Sequence, residues 1–235
     1  MKRKKKNAVT AVSVLAAVCS LDLPMYLSLD LPAGMDFYQL QCWVLTALLA
    51  AAGALCWDVL AAGVRGLGTL RPGAELLITL AWAFTLADGL TAGHLEARLG
   101  CLPCAAVTAF GLAFHLWGLQ NRRRADRAAA KTAAQAKTPY VVTLDENKWS
   151  GRPAYMQWSG TPVGQGSQLQ SDDAVTAGYR VASPLLLLGA LLCAVMASVG
   201  QSVPGRFLWA ASVCFTAVSP WSALLAWGLP WRKLA

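Results

Sequence analysis

The chain has 235 residues, of which 56% are hydrophobic and only 14% charged, with a formal net charge of +8. Charged residues make up about 25% of an ordinary soluble domain. Here they crowd into 1–6, 122–148 and the extreme C-terminus, which excludes a basic soluble protein and points to a polytopic membrane chain.

In chain order, Lys2, Arg3, Lys4, Lys5 and Lys6 precede an apolar run over 8–21. The run has the length of a signal-peptide core. No small-x-small site follows it cleanly, and Asp22 and Pro24 lead on into more apolar residues, so a first span is expected over 8–29. Further spans are expected over 39–64, 74–95, 101–120, 183–200 and 206–230. Each approaches the roughly 20 residues that cross a hydrocarbon core. Between the fourth and fifth lies a polar segment. Its first part, NRRRADRAAAKTAAQAK, continues the fourth helix, and short strands are expected over 140–144 and 154–158. The segment is too short for an independent enzyme domain and carries no nucleotide-binding glycine loop.

The expected fold is therefore an all-α polytopic membrane protein. It has six transmembrane helices, with a small degenerate β-containing cytoplasmic insert between the fourth and fifth. It divides into a four-helix membrane region (1–120), a cytoplasmic segment (121–182) and a two-helix membrane region (183–235). With both termini in the cytoplasm, 18 of the 20 Lys and Arg residues fall on that side, and only Arg98 and Arg206 lie opposite. That bias is the positive-inside signature. No basic stripe is interleaved with aromatics, so the bilayer is an expected partner and nucleic acid is not. Seven cysteines, most of them inside apolar runs, do not read as a disulfide framework.

Intramembrane carboxylates are costly and usually functional. Asp88 is the first such candidate, with Thr85, Thr91 and His94 near its helical face. Asp58 lies nearer a helix end, where it snorkels or pairs with Arg65. Cys101-Leu-Pro-Cys104 places two thiols one turn apart, suited to metal capture, a dithiol switch or simple packing. His115 lies roughly on the face of Cys104, as a ligand or as a histidine bonded to a neighbouring carbonyl. Cys193, Met196 and Cys214 are soft ligands or polarizable filler. Pro220 kinks the last span and frees backbone carbonyls, which with the Ser219 hydroxyl can coordinate a cation or merely shape packing.

Four spans, a cytoplasmic segment and two spans with a central proline form an order that resembles the membrane part of heavy-metal P-type ATPases. Val218-Ser219-Pro220-Trp221, the following run to Pro230, Cys101-Leu-Pro-Cys104 and Phe114-His115-Leu-Trp-Gly118 carry the resemblance, which is nearest to a divergent bacterial subgroup. It implies a bacterial plasma-membrane protein with an ion path between the fourth, fifth and sixth spans. Ser219, Pro220 and Asp88 would line the path, and Cys101, Cys104 and His115 would meet a metal. The substrate would be a transition-metal or other cation. ATP and Mg would belong only to a separate catalytic polypeptide or a downstream domain bearing the phosphorylated Asp-Lys-Thr-Gly. The chain departs from the family where Ser219 and Trp221 replace the cysteines beside the proline, which removes the thiolates a Cu(I) site needs. Thr176-Ala177-Gly178, the string nearest to the family's dephosphorylation motif, lacks its glutamate. The chain by itself is thus expected to hold no cofactor and to hydrolyse no ATP. The alternatives are a non-catalytic membrane scaffold or subunit, or a membrane thiol-redox protein built on Cys101 and Cys104.

Overall fold

Runs rich in alanine and leucine favour helix, and glycine and proline clusters interrupt them. The computed structural model describes residues 2–21, 37–69, 72–94, 101–135, 140–149, 152–159, 174–199 and 206–219. Among these residues the chain forms helices α1 (Lys2–Cys19), α2 (Phe37–Leu55), α3 (Trp57–Gly68), α4 (Ala74–Ala92) and α5 (Ala105–Gln135). Strands β1 (Tyr140–Trp149) and β2 (Arg152–Ser159) follow, then α6 (Ala174–Ser198) and α7 (Arg206–Val218). The strands pair antiparallel, Tyr140 opposite Ser159 and Leu144 opposite Tyr155, with an irregularity between Asp145 and Trp149.

The six expected spans are corrected. Of the seven described helices, three are long and apolar enough to cross a membrane: Phe37–Leu55, Ala74–Ala92 and Ala177–Ser198. The reasons are local. In α1 the basic residues are themselves helical and the helix runs to Cys19; 22–29 of the expected first span lie outside the described residues. The described α7 covers 13 residues of the expected sixth span, and 220–230 lie outside the described residues. α5 is 31 residues long, but its second half is the polar NRRRADRAAAKTAAQ. The expected second span, 39–64, breaks at Cys56, whose N–H is shared between the carbonyls of Ala52 and Gly53. α3 begins beyond that turn, with Asp58 in its first turn and Arg65 in its last, both favourable against the helix dipole.

α4 is the hub, packing on α2, α3, α5, α6 and α7. One apolar cluster joins Ile78 of α4 to Val9, Leu45, Leu49 and Leu112. A second joins Ala81 of α4 to Ala194, Ala211 and Phe215. Helices approach closely where side chains are small. Gly89 of α4 lies directly against the Thr46 side chain of α2, and Trp82 donates its indole N–H to the Leu49 carbonyl (3.1 Å). α6 carries an internal proline, Pro184, which removes the bond its N–H would have made to Arg180. The preceding Ser183 is buried and donates to the Pro72 carbonyl at 2.9 Å, tying α6 to the start of α4. Beyond Ser183, Ala190 and Ala194 of α6 are buried in the second cluster, while its opposite face points outward, with Leu185 and Met196 each 72% exposed.

Candidate functional site: a buried carboxylate and a file of hydroxyls

On α4, Ala81, Thr85 and Asp88 recur at helical spacing and share one face. All three are wholly buried. Thr85 and Asp88 therefore lie on the seam that α4 presents to both α5 and α7. On α7, Ser212, Thr216 and Ser219 share a face by the same spacing, and all are buried. On α5, Thr108 and His115 are two turns apart and buried. The bundle turns these three faces toward one another.

Ser212 Oγ points at Asp88 Oδ2 at 3.5 Å, a long hydrogen bond, and also donates to the Trp209 carbonyl at 3.0 Å. One turn along α4, the Thr85 and Thr108 hydroxyls are 3.2 Å apart, and Thr108 is 3.1 Å from Thr216. Each hydroxyl has one proton and two lone pairs. Thr85 donates to the Ala81 carbonyl at 2.7 Å. A self-consistent line then runs with Thr216 donating to Thr108 and Thr108 to Thr85, sharing its proton with the Cys104 carbonyl at 3.0 Å. Three helices thus meet in a line of oxygen atoms whose direction reverses when each hydroxyl rotates.

His115 lies further along the same face of α5 as Thr108. It is wholly buried, and neither ring nitrogen has a hydrogen-bond partner among the described residues. The expected bond to a neighbouring carbonyl is not made. Seven residues of helix separate it from Thr108, about 10 Å of rise. The charges that bear on its ring are those of Glu75 and Asp58.

The other expected residues fall in different places. Cys101 is exposed and lies before α5, where its carbonyl accepts from the Tyr38 hydroxyl at 3.0 Å, while Cys104 is half-buried. His115 is eleven residues beyond Cys104, about 16 Å along the helix, and no group of three His, Cys, Asp or Glu side chains among the described residues is placed to hold a metal ion. His94 does not join Asp88; it is exposed and meets Trp43 edge-on with ring centroids 5.0 Å apart. Thr91 donates to the backbone carbonyl of Asp88 (2.9 Å). Asp58 pairs with Lys5 of α1 rather than with Arg65, whose Nε donates to Ala61. Burial pushes the Asp58 carboxyl up, but the hydrogen bond and charge of Lys5, with the charge of Arg123, outweigh it and hold the group below the ordinary aspartate range. Cys193 and Met196 are exposed on α6, and Cys214 is half-buried. Pro220 and Trp221 lie outside the described residues; Ser219, at the end of α7, lies within them.

Sequence reading passed over Thr108, Ser212 and Thr216. The signal for the last two was present: hydroxyl residues at 212, 216 and 219 mark one face of an otherwise apolar segment. Comparison of the chain with protein-family models, curated proteins and solved structures finds no match.

Proposed function

We propose that the protein is a membrane-embedded module that binds and passes a small cation, with the proton foremost, through the interface of α4, α5 and α7. Asp88 bears the charge. The observation that carries this reading is its carboxylate, wholly buried and facing the Ser212 hydroxyl of another helix. Ionisable side chains buried within apolar helices mark ion paths and proton relays. Exchange of a proton or cation at this carboxylate is therefore the chemistry we assign to the site. The adjoining donors are hydroxyl oxygens, a hard ligand set that favours protons and hard cations over Cu(I). Coupling to ATP through a separate polypeptide, and the role of Ser219-Pro220-Trp221 in a metal-pump path, rest on the motif resemblance alone.

The scaffold reading has one observation in its favour. Thr85, Thr108 and Ser212 each bond their own helix backbone as well as a side chain on another helix, as a purely structural polar seam would.

Purified protein in liposomes, with an internal pH dye and an imposed potential, separates the two. Transport predicts proton entry above protein-free liposomes and its loss in Asp88→Asn, with the helical circular-dichroism signal kept. Wild-type flux equal to that of empty liposomes, or undiminished flux in Asp88→Asn, leaves the scaffold reading.

A further inference from the structure

α1 and α5 pack side by side, and an open groove of about 580 Å³ runs along their outer surface. Its chemistry is graded. At one end it is lined by Lys6, Asn7 and Thr10, and at the other by Val14, Leu15 and Val18, with Trp117 of α5 along the side. No carboxylate lines it. The three apolar residues are each about half exposed, an unusual surface for a helix face unless something apolar covers it.

The polar end is set up for an anion. Lys6 Nζ sits over the Trp117 ring, 5.0 Å from its centroid, so the ammonium is held at the groove mouth with its stem along apolar surface. Its neighbour Lys5 is neutralised by Asp58, but Lys4, Arg123 and Arg124 are exposed, and Arg123 is close enough to act electrostatically on Asp58. The groove mouth therefore lies in a positive field. From Lys6 to Val18 the helix rises about 18 Å, close to the depth of one bilayer leaflet, about 15 Å. Tryptophan and lysine at one level are the usual residues of the membrane–water boundary.

From this gradient we infer that the α1–α5 groove is a binding site for an anionic phospholipid. The phosphodiester is held by Lys6 and Asn7, and an acyl chain lies along Leu15 and Val18. This site is separate from the α4–α5–α7 hydroxyl file, and its test does not depend on cation transport.

The experiment is native mass spectrometry of the full chain released from nanodiscs of equimolar dioleoylphosphatidylglycerol and dioleoylphosphatidylcholine. Retained phosphatidylglycerol is expected to exceed phosphatidylcholine by about fivefold, the effect of one basic residue near an anionic headgroup. Lys6→Gln should bring the ratio near parity. Arg206→Gln, at the start of α7, should leave it unchanged. Leu15→Trp fills the apolar half and should reduce retention of both lipids; if that variant does not fold, Lys6→Gln alone decides. Parity in the wild type, an unchanged ratio in Lys6→Gln, or disulfide capture of two Leu15→Cys chains through the groove would overturn the assignment, the last by giving the groove to a second copy.

Discussion

Thr108 is the middle member of the hydroxyl file, 3.2 Å from Thr85 and 3.1 Å from Thr216. Valine matches threonine closely in shape but neither donates nor accepts. Thr108→Val should therefore cost about 1–2 kcal/mol through its two stranded neighbours, read as an earlier denaturation midpoint in detergent. It should also slow proton entry in liposomes; unchanged flux would remove the file from the path. His115 predicts the opposite stability change. Two buried ring nitrogens without partners cost about 1–3 kcal/mol each, and that penalty disappears in His115→Leu. The variant should melt higher than the wild type while passing protons more slowly. A lower melting temperature would mean that the ring is held by contacts worth more than its desolvation. A gain in stability paired with a loss of flux is the mark of a polar group retained for function.

Among the helices, the α2–α4 crossing is set by one small residue. A β-carbon on Gly89 would collide with the Thr46 hydroxyl, so Gly89→Ala should force the helices apart and destabilise the fold by about 1–3 kcal/mol. Thr46→Ala removes the colliding oxygen and should recover part of the loss, a coupling that a double-mutant cycle measures. Additive effects would show that the two helices do not meet there. The docking of α1 is pH-dependent through Asp58. Its pKa is lowered in the folded chain by Lys5 and Arg123 against the opposing effect of burial. The ion pair's contribution is therefore complete above the ordinary aspartate value of 3.8 and fades as pH falls through the lower folded value. Because the Asp58 side chain is 58% exposed, solvent screening keeps the effect below about 1 kcal/mol. Hydrogen exchange of α1 should quicken in that acid window in the wild type and lose this dependence in Asp58→Asn. Equal pH dependence in both would exclude the pair as the cause.

Basic residues of two helices share one end of the molecule. Lys4 is exposed near the start of α1, and Arg123 of α5 acts on Asp58 from the same end. Cys101 stands before the other end of α5, beside the start of α2, and from Ala105 to Arg123 the helix rises about 27 Å. In a Cys193→Ser background, a membrane-impermeant maleimide should reach Cys101 from one face of the bilayer only. It should reach a cysteine placed at Lys4 from the other face only. Cys56 is buried, its thiol pushed up to about 12 by burial, and should stay unlabelled. Labelling of Cys101 and position 4 from the same side would overturn this orientation.

Composition and spacing were enough to determine the helical character of the chain, the long uncharged stretches and the choice of Asp88 as a carboxylate within one of them. Periodicity also marked Thr85 as sharing a helix face with Asp88, and the same spacing, unused, sets Ser212 with Thr216 and Ser219. It did not say which faces meet. Thr108 and Thr216 touch across 108 residues of sequence, and their contact depends on how far each helix rotates about its own axis as it packs on α4. Likewise, local spacing offered Arg65 to Asp58, but the fold supplied Lys5 from another helix. Helix ends escaped the sequence for a related reason: hydropathy changes gradually, while the break at Cys56 is sharp. What the tertiary structure alone decided was the burial of His115 without a partner among the described residues and the meeting of three polar faces around α4. A helix's sequence fixes its own surface, whereas its neighbours are chosen by the packing of all the others.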